Sequence, residues 1–430
     1  MNEHTSAILA RIQKPLPTWM RPLLLACFAV GAVSFVLIAG FGDANRAWRI
    51  YHVNWLYWTG LAQGLVLFGA VTTVAKGRWA TGIRRMGEAS VAFLPVAVAL
   101  FLVMWIGRAE IFPWIRHPIT DIPAKAFWLR DWFMWARDLF AMVVLFGLSW
   151  LFVRHGLRLD AAALGPSAKL QPWTRTFYDR LLKDWNAPGR GADFSWGRRE
   201  LLAALMLLAY AACMSLIAFD LVMSIAPHWI SNLLGGFFFI GAWLSGLMTL
   251  ALLMLFFRRH YGLDDLLTLK MQHDLAKLCF GFTVFWAYTF FSQFIVIWYG
   301  NMPEETSFLF LRIATPQWRA VSTAMVVMCF LLPFVGLMGI KPKKTPAILT
   351  TFALISLAGL WIDRFVLVVP SVVQAPAGLP LGWQELLITT GFFGLWGLSY
   401  MWFVERFGLV SPALLDHDAE RRHLTHVADG

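Results

Sequence analysis

The chain has 430 residues, of which 59% are hydrophobic and only 14% charged, against roughly 25% charged in an average soluble domain. So few charges cannot cover a soluble surface, and a mean hydropathy of +0.63 points to an exterior that faces lipid. The net charge of +11 would suggest nucleic acid in a soluble protein, but here the basic residues lie between apolar runs, so they read as anchors at an anionic lipid surface and no nucleic-acid partner is expected.

Residues 1–21 are polar and basic. The apolar run from about Pro22 to Gly40 is long enough to span and lacks an A-x-A cleavage pattern, so it reads as an uncleaved first span. Further runs at about 52–75, 89–107, 132–153, 200–223, 231–257, 276–299, 318–340, 346–369 and 383–404 predict nine more. Helices are expected because hydrocarbon cannot satisfy a bare backbone, and the alternation of a membrane barrel is absent. The fold class expected is an all-α polytopic membrane protein of about ten helices. Cys27, Cys213, Cys279 and Cys329 each fall inside an apolar run with no CxxC pairing, so they read as small core residues.

Lys and Arg set the orientation. The N-terminus, the even-numbered connections and the C-terminus hold 26 of them, including nine from Arg154 to Arg199 and the pair Arg421 and Arg422. The odd-numbered connections hold nine. Both termini are therefore expected in the cytoplasm of a bacterial inner membrane. The outer connection 108–131, with Pro113, Pro118, Pro123, Trp114 and Trp128, predicts an ordered, non-helical cap. In the connection 154–199, Trp173, Phe177, Leu181 and Trp185 repeat every four residues, with Arg175, Arg180 and Lys183 off that stripe. That pattern predicts an amphipathic helix on the membrane surface, or one docked on a partner's soluble domain. Gly60 and Gly64 of span two resemble Gly241 and Gly246 of span six, a weak sign of a parallel repeat.

A charge at mid-bilayer costs at least ~2.5–3.5 kcal/mol, so ionisable groups within spans need a partner, water or a function. Span seven is richest. His273, Lys277, Tyr288, Ser292 and Tyr299 fall near one face, with Gln293 beside them. They form either a proton-relay lane or a set of interhelical hydrogen bonds. Glu88, opening span three, reads as a solvated i,i+4 pair with Arg84, or as a point of proton uptake. Adjacent Arg137 and Asp138 are expected to pair with other helices. Asp220 is expected to pair with Arg312. His52 and His273 sit at opposite ends of their spans and cannot share a haem.

The stretches FDLVMSIAPHW (219–229) and HDLAKLCFGFTVFWAYTFFSQFIVIWYGNMPEET (273–306), with NWLYWTGLAQG (54–64) and GEASVAFLP (87–95), resemble the NrfD/polysulphide-reductase-type membrane subunits of alternative complex III. The likeness covers about residues 45–405. It implies two four-helix bundles, spans two to five and six to nine, with two flanking helices. The chain then divides into a segment to 21, a first unit to 199, a second over 200–369, a last span at 383–404 and a tail over 405–430. The resemblance implies partners: a paralogous quinol-binding subunit, an iron–sulphur subunit and haem-c subunits. It also implies haem c, Fe–S clusters and menaquinol or ubiquinol in the complex, with no redox centre in this chain. In the quinol-oxidising paralog a histidine occupies the position of Gln63, so the departure places this chain with the second, smaller paralog. Its implied role is to brace the quinol-oxidising subunit and to offer a proton path. Two rivals stand beside that reading. One is a subunit with its own quinone pocket, to which Asp220 and His228 would lend polar groups. The other is a stand-alone secondary transporter.

Overall fold

The computed structural model describes residues 3–12, 14–119, 122–165, 170–373, 378 and 381–417. The tail beyond 417, with Arg421 and Arg422, lies outside them. Among the described residues ten long helices form: α1 Met20–Phe41, α2 Ala44–Val74, α3 Arg78–Met104, α4 Asp131–Leu164, α5 Ala192–Leu221, α6 Leu234–Tyr261, α7 Leu269–Gly300, α8 Pro316–Gly336, α9 Pro346–Val368 and α10 Trp383–Phe407. Among the described residues there is no strand, and all of these helices but α2 are both long and apolar enough to cross a bilayer. Helix α2, at 31 residues, has ample length but is less apolar. The reason is its position: its His52, Asn54, Thr59 and Gln63 face protein, not lipid, and all are buried. The molecule is an all-α polytopic membrane protein.

Local chemistry sets the ends. Asp43 caps α2 by accepting from the Arg46 amide at 3.0 Å, and Thr268 caps α7 from Met271 at 3.2 Å. Helix α6 stops at Gly262, whose φ of +61° is the left-handed conformation that closes a helix cheaply. Within α3, Pro95 removes an amide, and the preceding residues Ala89–Phe93 tighten into a 3-10 stretch.

Helices α2 and α6 form the centre. They run side by side, and α2 is surrounded by α1, α3, α5, α6, α9 and α10. Gly64 and Gly246 face each other there: a Cβ on Gly246 would sit 2.7 Å from the Leu65 amide nitrogen. The glycines that hinted at a repeat thus include the contact between its two halves, a close backbone approach that small residues permit. Helices α4 and α5 pair along their length, as do α1 and α10. Helix α7 is peripheral, leaning mainly on α6.

The first long connection differs from expectation, and the second holds the expected amphipathic helix in shorter form. The cap over 108–131 contains three helical turns, Arg108–Ile111, Pro113–Arg116 and Pro123–Trp128, with Pro113 and Pro123 opening the second and third, where a missing amide costs nothing. The amphipathic helix runs Pro172–Leu182 and ends before Trp185. Its buried residues are Thr174, Tyr178 and Leu181, and Phe177 packs 5.3 Å from Phe407 of α10. It docks on its own chain while Trp173 stays half exposed.

Candidate functional site

Four charged side chains meet at the end of the bundle bearing the basic connections. Arg85 and Glu88 lie one turn apart on α3, Asp160 is on α4 and Arg199 on α5, and none is more than 1% exposed. Arg85 reaches Glu88 at 3.2 Å and also pairs with Asp160. Arg199 pairs with Glu88 and lies 4.3 Å over the Phe152 ring. The Ser411 hydroxyl donates to Asp160, which also receives the Ala413 amide at 3.3 Å. Two cations and two anions balance, the condition for holding charge where water is scarce. Glycine makes the space: a Cβ on Gly69 would lie 3.0 Å from a Glu88 oxygen, and one on Gly156 would collide with the Arg199 guanidinium.

This quartet corrects the expected Arg84–Glu88 pair. Arg84 instead donates to the carbonyls of Thr72 and Gly77 at 2.9 and 2.8 Å, closing the end of α2. Glu88 does not open its helix, which starts earlier, at Arg78, and it is fully buried. No local pattern singled out Asp160, one of four aspartates in a connection that also holds nine Lys and Arg.

Midway along the same bundle, Gln63 donates to the Ser149 hydroxyl at 3.0 Å, and Ser149 donates to the Leu145 carbonyl. At the far end Arg137 meets Asp220 at 2.7 Å and lies 3.8 Å over the Trp128 ring. Trp128 donates to the other Asp220 oxygen at 2.8 Å. Asp220 therefore pairs with Arg137, as expected of a charge that must find another helix, and not with Arg312. Arg312 instead donates to the Val366 and Leu367 carbonyls at 2.9 and 2.8 Å, sealing the end of α9. Asp138 is fully buried, and its carboxyl faces Asp220.

Asp138, Ser149 and Asp160 are thus three buried polar stations on α4, spaced eleven residues apart. Eleven residues are close to three full turns, so the three share one face. They cover ~33 Å at 1.5 Å per residue, about the thickness of the hydrocarbon core, ~30 Å. Buried Met142 and Leu145 separate the first two, and Phe152 the second pair.

The lane on α7 is placed differently from its relay reading. Tyr288 is 63% and Tyr299 79% exposed. Among the described residues Lys277 pairs along its own helix, with Asp274 at 2.6 Å, and Ser292 donates to the Tyr288 carbonyl. Gln293 accepts from Ser231 at 3.5 Å, and His273 is half-buried. These groups line the outside of the molecule, so they form no path through the bundle of this chain. His228 is exposed on the loop after α5, and neither it nor Asp220 borders the cavity described next. Outside the spans, the Arg11 guanidinium holds the Asp265 carboxyl below its usual range.

A cavity of about 750 Å³ opens between α1, α2, α6, α9 and α10, within the usual range for ligand pockets. It runs from Leu16 and Met20 at the basic end to Glu385 and Leu386 at the far end. Among the described residues no group of histidine, cysteine and carboxylate side chains has metal-site geometry. Comparison with known protein families and with curated proteins finds no match to the chain.

Proposed function

We propose that this chain is the second, smaller NrfD-type membrane subunit of a quinol:electron-acceptor oxidoreductase, bracing the quinol-oxidising paralog and carrying protons through α2–α5. One observation carries the subunit reading. The helix bearing the family-like phrase, α7, turns Tyr288, Phe291, Trp298 and Tyr299 outward, with Ser292 and Lys277 alongside. Helix α1, by contrast, exposes Leu23, Leu25, Phe28, Val30, Val33, Val36 and Leu37, a face suited to lipid. A polar, aromatic strip at membrane depth is suited to another protein, where its hydroxyls find partners.

Purification from native membranes in mild detergent tests it. The expected result is co-migration with haem-c and iron–sulphur subunits. A lone monomer that is active in transport would instead establish the transporter reading.

The proton path rests on the α4 stations in place of the α7 lane. Moving one charge against 100 mV takes about 2.3 kcal/mol, which quinol oxidation in the partner would supply. Asp138→Asn keeps the shape of the side chain and leaves the Arg137–Asp220 pair intact. In the reconstituted complex it is expected to lower proton uptake per electron while leaving electron transfer unchanged. An unaltered ratio would remove the path and leave the bracing role standing.

A further inference from the structure

We infer that the cavity between α1, α2, α6, α9 and α10 is a binding site for an anionic phospholipid, its acyl chains in the groove and its phosphate at the basic end. This inference stands apart from the proposed function. Shape argues first. Along α10 the cavity extends from Glu385 to Met401, sixteen residues or ~24 Å of helix. That length approaches the thickness of the hydrocarbon core, ~30 Å, so a continuous groove of this extent suits extended hydrocarbon chains lying along the helices. Its walls agree: Leu24, Leu61, Phe256, Leu357 and Phe393 line it.

Charge argues second. At the far mouth Glu385 is neutralised by Arg46 at 2.6 Å. At the basic mouth the linker before α1 is tied to the end of α6, His260 lying 3.2 Å from the Pro15 carbonyl. That contact sets the segments carrying Lys14 and Arg259 against each other, both side chains are exposed, and neither has a carboxylate partner among the described residues. Arg21, next to Met20, pairs with Glu405 at 3.1 Å yet stays 60% exposed. Only this mouth carries excess positive charge, so only here is a phosphate favoured.

The Trp58 indole nitrogen also lacks a hydrogen-bond partner in this cavity. Trp135, Trp229, Trp243 and Trp286 share that condition elsewhere in the core, so Trp58 does not by itself call for a carbonyl-bearing ligand.

The experiment is lipid retention by the purified protein in mild detergent, read by native mass spectrometry against phosphatidylglycerol and phosphatidylcholine. One retained phosphatidylglycerol per chain is expected. Lys14→Glu with Arg259→Glu, both at the surface, is expected to cut the preference for phosphatidylglycerol at least about 25-fold, at about fivefold per cation. Ala358→Trp, an exposed position on the groove wall, is expected to abolish retention with the helical circular dichroism unchanged. Trp58→Phe is expected to change nothing. Equal retention of both lipids by the unaltered protein, or full retention by Ala358→Trp, would overturn the proposal. So would loss of the ligand in Trp58→Phe, which would mark a carbonyl-bearing prenyl lipid instead.

Discussion

Arg199→Ala is expected to destabilise the protein by about 3–5 kcal/mol, the cost of leaving one partner of a buried ion pair uncompensated. The quartet of Arg85, Glu88, Asp160 and Arg199 balances two charges against two, and all four side chains are essentially inaccessible. Removing Arg199 leaves Arg85 to serve both Glu88 and Asp160, with a net negative charge in the core. The expected signs are loss of folded protein in detergent and a depressed melting temperature by circular dichroism. Glu88→Gln combined with Arg199→Gln restores neutrality and is expected to recover most of that loss. This non-additivity separates a buried network from four surface charges, each pair of which would contribute only ~0–1 kcal/mol. A single variant as stable as the parent would show that water reaches the quartet.

The second large effect is expected at the α2–α6 crossing. Gly246→Leu should prevent normal folding, because the new side chain meets the backbone of Gly64 and Leu65, which cannot rotate aside as a side chain would. Gly246→Ala should already cost about 1–3 kcal/mol, the range for overpacking a filled interior. Gly236 on the same helix is the control, since a Cβ there meets nothing within 4 Å. Gly236→Ala should be neutral or raise stability by up to ~1 kcal/mol through helix propensity alone. Equal behaviour at the two positions would mean that the helices do not approach this closely. Helical circular dichroism and the yield of monodisperse protein read out all three variants.

Much of the architecture was legible because spans announce themselves by length and apolarity. Helix boundaries were less so. Charged Arg154 and Arg158 suggested that span four had ended, yet α4 continues to Leu164. It can do so because Arg158 pairs with Asp184 at 2.9 Å and Asp160 enters the quartet. Leaving the hydrocarbon is a different event from ending a helix, and hydropathy sees only the first. That error hid Asp160, and with it the identity of the site.

Helix faces were harder still. In a soluble protein a polar stripe marks the solvent side, but in lipid both faces of a helix are apolar. The stripe of Tyr288, Ser292 and Tyr299 therefore fits a relay lane or interhelical hydrogen bonds equally well from sequence, whereas Tyr288 and Tyr299 face outward. Helix α2 was the exception. Its buried His52, Asn54, Thr59 and Gln63 made it less apolar than its neighbours, and that deficit is itself the mark of a central helix. The partners of single charges were beyond reach, since choosing Arg137 over Arg312 for Asp220 depends on helix rotations that no local pattern encodes.

The outward face of α7 bears the weight of the functional reading, and site-specific photo-crosslinking in native membranes tests it most directly. A photoreactive residue replacing Tyr288 is expected to capture a second membrane protein, while one replacing Leu208, which is 73% exposed on α5, should capture lipid. Lipid adducts alone at both positions would contradict the account, because α7 would then face the bilayer and no subunit would be seated there.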